Sequence, residues 1–244
     1  MIDTHAHLGD DAAEVLARAH AAGVTQVIDV ATMVEGARRS LARAHGHDDL
    51  WVAVGIHPHE AGSVGPADVE ALRELLADPK AVAVGETGLD YYRDYAPADA
   101  QQELFDAELA LAAELGMPVV IHTRAADEDT RARLVDHDGP VILHCFSSPP
   151  LLDTALEHAW YVSFAGNVTY KNAYDLRDAA RRVPSERLLV ETDSPYLAAQ
   201  AVRGRINEPS FVRHTYEELA RVRGDDLAEL QDQVMENAAR VFGL

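Results

Sequence analysis

Met1-Ile2-Asp3-Thr4-His5-Ala6-His7-Leu8-Gly9 opens the chain. An apolar start runs into His-x-His at the end of what reads as a short buried strand. Side chains alternate faces along a strand, so His5 and His7 point the same way, with Asp3 behind them. Two imidazoles on one face of a rigid strand can hold one metal ion. The stretch also bears on fold class. A doubly wound nucleotide-binding sheet is expected to carry a Gly-rich turn after its first strand, and His5-Ala6-His7-Leu8-Gly9 is not one.

Outward from this strand, short apolar runs alternate with amphipathic stretches of helical period. Strands are expected at Met1–His5, Gln26–Ala31, Trp51–Gly55, Ala81–Gly85, Pro118–Ile121, Pro140–His144, Tyr161–Ala165 and Leu188–Glu191. Helices are expected at Asp11–Ala22, Glu35–Ala44, Pro66–Leu76, Ala98–Leu115, Asp127–Asp136, Pro149–His158, Asn172–Arg182 and Ser210–Arg221. An extra C-terminal helix spans Asp225–Val241. Runs such as Val82-Ala83-Val84 and Val119-Val120-Ile121 read as buried on both faces, as parallel strands are. Eight strand–helix units in strict alternation predict a single α/β domain over residues 1–244, a (β/α)8 TIM barrel.

Composition narrows the function classes. The formal net charge is −20, with 41 acidic residues against 21 basic, and Lys80 and Lys171 are the only lysines. Such a surface repels nucleic acid at long range, so stable duplex binding is not expected. No apolar run reaches membrane-spanning length, and the N-terminus lacks the charged and apolar regions of a cleaved signal. Cys145 is the only cysteine, which excludes an intrachain disulfide framework and fits a reducing compartment. The expected location is the cytoplasm, and Cys145 itself reads as a buried core thiol.

In a barrel the site lies at the carboxyl ends of the strands. Those positions hold His5, His7, His57, His59, Glu86, His122, His144 and Asp193. Each has an ordinary alternative: His122 and His144 as core histidines, Glu86 as the partner of an arginine such as Arg124, Asp193 as a turn cap. Together they are enough for two metal ions, with Glu86 as a bridging carboxylate. His57-Pro58-His59 suits a loop that faces an anionic substrate, with an inert loop as the alternative, and Arg124 suits a phosphate oxygen or a surface ion pair. Tyr91, Tyr92 and Arg93 follow Asp90 in a loop that forms a pocket wall or is simply packed. His20, His45, His47, His137, His158 and His214 read as surface residues.

The segments Asp3-Thr4-His5-Ala6-His7, Gly55-Ile56-His57-Pro58-His59, Gly85-Glu86-Thr87-Gly88-Leu89-Asp90, Ile121-His122-Thr123-Arg124, Leu143-His144-Cys145-Phe146 and Glu191-Thr192-Asp193-Ser194-Pro195-Tyr196 resemble the TatD-type metal-dependent hydrolases. The likeness runs over essentially the whole chain. It implies an amidohydrolase-type barrel with two divalent cations, one held by His5, His7 and Asp193, the other by His122 and His144, with Glu86 shared. It also implies DNase activity on DNA 3′ ends, or in some members deacylation of mischarged tRNA. The loop at Ala198–Val202 and the pair Ala125-Ala126 carry fewer polar groups than is usual for the family, which bears on substrate.

The expected activity is thus divalent-metal-dependent hydrolysis of single-stranded or frayed DNA from the 3′ end. In this reading the metals lower the pKa of a bound water, and Asp193 and Glu86 are the catalytic carboxylates. His57, His59 and Arg124 would bind DNA ends or another small anionic substrate. Hydrolysis of an ester, amide or lactone at the same centre is the alternative, and a metal-stabilised binding protein or a metal-free acid–base barrel are weaker ones. Imidazole and carboxylate ligands without thiolate admit Zn, Mn, Mg, Ni, Co or Fe. Oligomeric state is left open.

Overall fold

A computed structural model describes residues 1–93 and 95–244. Eight parallel strands follow one another in chain order from β1 to β8, alternating with helices, which is the topology of a (β/α)8 barrel. Nine α-helices occur among the described residues, so one exceeds the eight-unit repeat. None of these helices is long and apolar enough to cross a membrane. The chain divides into two compact units, each with its own run of strands.

The first unit comprises residues 1–29, 144–149 and 161–244. It holds β1 (Ile2–Ala6), helix α1 (Ala12–Ala21), most of β2 (Gln26–Val30), β7 (Tyr161–Phe164), α7 (Tyr174–Arg182), β8 (Leu188–Val190), α8 (Val212–Arg223) and α9 (Leu227–Phe242). β1 pairs with β2, and β7 with β8. The chain beyond β8 meets β1 at the bridge between Ala6 and Ser194, flanked by bonds from Asp193 N–H to the His5 carbonyl and from His7 N–H to the Ser194 carbonyl. Asp3 strengthens this seam, accepting the Thr192 N–H at 2.8 Å and the Thr192 hydroxyl at 2.6 Å. Burial is the largest influence on Asp3 and carries its pKa up to about 8 in spite of these bonds. Behind the seam, the fully buried Tyr216 of α8 donates its hydroxyl to the Ile2 carbonyl at 3.0 Å. Asn237 of α9 donates to the Ser185 and Leu188 carbonyls, which ties the extra helix to the start of β8.

The second unit comprises residues 30–143 and 150–160. It holds β3 (Leu50–Val54), β4 (Ala81–Asp90), β5 (Val119–Arg124) and β6 (Val141–Leu143), paired in that order. Its helices are α2 (Val34–Ala44), α3 (Pro66–Leu76), α4 (Ala98–Leu115), α5 (Asp127–Leu134) and α6 (Leu152–Glu157). All ten residues of β4 are buried. The strand was expected to end at Gly85 but runs on to Asp90, because two glycines let it pass close to its neighbour. A Cβ on Gly88, which has φ +135°, would lie 2.0 Å from the His122 carbonyl oxygen. The register between β4 and β5 shifts between Val84 and Thr87, so the pairing is irregular over Gly85 and Glu86. β5 likewise continues past Ile121 and takes in His122 and Arg124.

Cys145 departs from expectation. It is only partly buried, because the chain has left β6 and turns there with φ +44°, so strand alternation no longer sends the thiol into the core.

Candidate metal centre

In the first unit, β1 and the turn after β8 bring His5, His7 and Asp193 together. Their potential ligand atoms lie within 4.8 Å of one another. His5 Nε2 and His7 Nε2 are 3.3 Å apart, and Asp193 Oδ1 is 3.9 and 3.6 Å from them. Strand alternation aims the two rings alike, and Asp193 reaches them because its backbone turns left-handed, with φ +54°. Aspartate tolerates that conformation better than most residues. Burial raises the Asp193 pKa, but the His7 hydrogen bond and the charges of His144, His5 and His7 outweigh it, so the carboxylate is held below its ordinary range. The His144 ring stacks on His5 at 4.0 Å. Its Nδ1 lies 3.1 Å from Glu191 Oε1, which also accepts the Cys145 N–H. With Nδ1–H committed to a carboxylate, Nε2 is the nitrogen that His144 can offer a cation.

In the second unit, register builds the site. Gly88 of β4 stands opposite His122 of β5. Glu86 and Asp90 flank Gly88 on the same face, two residues to either side. The imidazole therefore fits over a residue without a side chain and between two carboxylates. Glu86 Oε1 is 2.8 Å from His122 Nδ1, and Asp90 Oδ2 is 3.3 Å from Nε2. Asp90 also takes His59 Nε2 at 2.8 Å and the backbone N–H groups of Tyr92 and Arg93. Burial pushes the Asp90 pKa up, yet the bonds from His122, His59 and Arg93 hold it well below the carboxylate range. With Asp90 on Nε2, the nitrogen that His122 can offer a cation is Nδ1, beside Glu86.

His57 joins Glu86 and His122 by distance, with Nε2 3.4 Å from Glu86 Oε1. Its chemistry sets it apart. The His59 N–H donates to His57 Nδ1 at 3.1 Å, so Nδ1 carries the lone pair and Nε2 the proton. Burial lowers the pKa of this ring, Glu86 opposes that, and the charges of His122 and His59 lower it further. His57 is thus a neutral imidazole presenting an N–H donor.

The donor set suits divalent cations. Nitrogen faces nitrogen at 3.3 Å in one cluster, and nitrogen faces carboxylate at 2.8 Å in the other. Lone pairs that close require a proton or a cation between them. Arg124 ends β5 with its guanidinium 3.9 Å above the Tyr92 ring. His20, His45, His47, His137, His158 and His214 enter no such group of ligands among the described residues. The reading of the residues alone missed Asp90 and Glu191. For Asp90 the signal was its even spacing from Glu86 along one strand face, hidden by the expectation that β4 had already ended.

The model of the TatD related DNase family matches residues 2–243. The chain belongs to that family. It is 41% identical to the "Uncharacterized metal-dependent hydrolase YcfH" of Escherichia coli, over 99% of this chain and 95% of the relative. It is 34% identical to the "3′-5′ ssDNA/RNA exonuclease TatD" of Erwinia tasmaniensis, over 99% and 97%. Among solved structures, the TatD homologue YjjV of Escherichia coli superposes with a TM-score of 0.94 at 30% identity, over 100% of this chain and 98% of that one. TatD-family membership and the two ligand clusters together make the chain a metal-dependent hydrolase.

Proposed function

We propose that this TatD-family hydrolase removes nucleotides from the 3′ end of single-stranded DNA. The carrying observation is the contrast within the second cluster, where His122 Nδ1 lies 2.8 Å from Glu86 Oε1 while the His59 N–H occupies His57 Nδ1 and leaves its Nε2–H as a hydrogen-bond donor 3.4 Å from Glu86. A relative named as an exonuclease supports the substrate class. One cation would be held by His5, His7 and Asp193, beside which His144 offers its Nε2, and another by Glu86 and His122. Bound divalent cations supply Lewis acidity, polarising a phosphoryl oxygen and making water more acidic.

The chain's own groups do the rest. His57 Nε2–H donates to a non-bridging phosphate oxygen, where negative charge grows in the transition state. Asp193, kept ionised by its histidines, takes a proton from the attacking water as the bond from phosphorus to the neighbouring sugar's 3′ oxygen breaks, and returns it to that departing oxygen. Asp90 keeps His59 and His122 in fixed orientations throughout. Arg124 offers positive charge to the next phosphate along the strand.

The test is degradation of end-labelled single-stranded DNA by metal-stripped protein reconstituted with Mg²⁺, Mn²⁺ or Zn²⁺, beside His122→Ala. The expected result is a ladder shortening from the 3′ end, dependent on metal and lost in the variant. Intact DNA from protein shown to hold metal would overturn the nuclease reading and direct the search to carbonyl esters, amides and lactones.

A further inference from the structure

The segment after β4 holds two tyrosine rings out in solvent. Tyr91 is fixed: its N–H donates to the Arg124 carbonyl, and its hydroxyl donates to Asp129 and accepts from Gln102. Its neighbour Tyr92 is 63% exposed, and Tyr95 is 64% exposed. The backbone that presents them is anchored. Asp90 Oδ1 accepts the N–H groups of Tyr92 and Arg93 at 2.9 Å, and the buried Gln101 side chain bonds the Asp90 N–H, the Asp90 carbonyl and the Ala96 carbonyl. An aromatic ring is normally a large contribution to burial, so two left in water on a fixed support are available for a ligand.

Their surroundings say what kind. The Arg124 guanidinium sits 3.9 Å from the Tyr92 ring centre and that of Arg93 5.6 Å. Among the described residues neither makes an ion pair, although the chain carries 41 acids for 21 bases. Elsewhere arginines find carboxylates, as in Arg18–Glu208, Arg73–Glu114, Arg133–Asp106 and Arg223–Asp225. The Tyr95 ring meets His59 edge-on at 4.7 Å, and His59 bonds Asp90, which also bonds His122. A line of rings therefore leads from the ligand cluster to two exposed π-faces with guanidinium charge beside one of them.

We propose that Tyr92 and Tyr95 form a stacking platform for successive unpaired bases of single-stranded DNA, with Arg93 and Arg124 holding the intervening phosphates. The proposal rests on the nuclease reading and deepens it to strandedness and sequence tolerance. Every base has a π-face, so such a platform accepts any sequence, while paired bases in a duplex cannot lie on it. It also lets a chain of net charge −20 hold a polyanion at one place by stacking and local charge.

The test uses a single-stranded oligonucleotide carrying 2-aminopurine near its 3′ end, with phosphorothioate linkages to slow cleavage, alongside kinetics on unmodified DNA. Binding to the wild type should quench the fluorescence. Tyr92→Ala and Tyr95→Ala should each weaken binding and raise KM about tenfold, with a smaller effect on kcat, while Tyr→Phe at either position restores the wild-type values. Replacing the stacked nucleotides with abasic ones should bring the wild type down to the level of the alanine variants and leave those variants unmoved. Wild type that degrades DNA, beside alanine variants whose binding and KM stay within about twofold, would overturn the platform and leave the nuclease standing. Metal-loaded wild type that neither binds nor cleaves DNA would overturn both. Both rings are exposed, so unchanged thermal unfolding and metal content verify that each variant is folded.

Discussion

His57 and His122 lie with their rings 4.5 Å apart, yet their nitrogens are committed differently. A backbone N–H decides the tautomer of one and a carboxylate orients the other. His57→Ala should therefore keep the full metal content by elemental analysis while kcat falls about 100-fold or more, the usual scale for losing a hydrogen-bond donor aimed at transition-state charge. Loss of metal in that variant would show that His57 ligates after all. His122→Ala should lose metal and activity together. Asp193→Asn should fold normally, because asparagine also tolerates the left-handed turn, but should bind its cation more weakly in a metal titration. At this scale the sequence was readable where strand alternation fixed direction, as for His5 and His7, and where a carboxylate directly followed an apolar strand, as for Glu86. It was mute on Glu191, since a carboxylate that orients a histidine looks the same in sequence as a carboxylate in solvent. The tautomer of His57 was beyond reach, because it depends on the path of the chain from His57 to His59.

β4 is the element on which the second cluster depends, and its two glycines are steric requirements. Gly88→Ala should destabilise the protein strongly and disorganise His122, since the new Cβ would fall 2.0 Å from a backbone oxygen that cannot swing away. Urea unfolding with metal analysis would show both effects. α4 supports the same region through Glu108, wholly buried, which accepts the Ile56 N–H at 2.7 Å and the Thr87 hydroxyl. It thus clamps the residue before His57 and the residue after Glu86. Burial raises its pKa from 4.5 to about 8, with the Thr87 and Ile56 bonds opposing. The folded protein then keeps a proton that the unfolded chain has lost, so Glu108's contribution is intact below pH 4.5 and declines as pH rises towards 8. Glu108→Gln should remove that part of the pH dependence, so its unfolding midpoint should gain on the wild type between pH 5 and 8. A constant difference would sink the assignment. The early end expected for β4 has a physical cause: Gly85-Glu86-Thr87-Gly88 has the composition of a turn, and only its pairing with β5 keeps it extended.

At the scale of the whole molecule, the regular alternation of apolar and amphipathic segments was enough to read the strand order, because each parallel strand needs a crossover and helices supply it. The division into two compact units was not readable, since both are built from distant parts of the chain. Net charge sets a further expectation. A chain at −20 repels DNA through space, and salt screens that repulsion. KM for single-stranded DNA should therefore fall as monovalent salt rises towards about 0.1 M, where the Debye length is about 10 Å, opposite to a basic nuclease. A steep rise would place the binding energy in phosphate contacts instead of stacked bases. The seam between β1 and the chain beyond β8 has a consequence for synthesis. Asp3 and Thr192 are 189 residues apart in sequence, and His5, His7 and Asp193 assemble across nearly as long an interval. His5 and His7 thus wait until synthesis has reached Asp193 before they have their carboxylate. A nascent chain cannot complete this cluster early, and cation loading there would report that synthesis has passed Asp193.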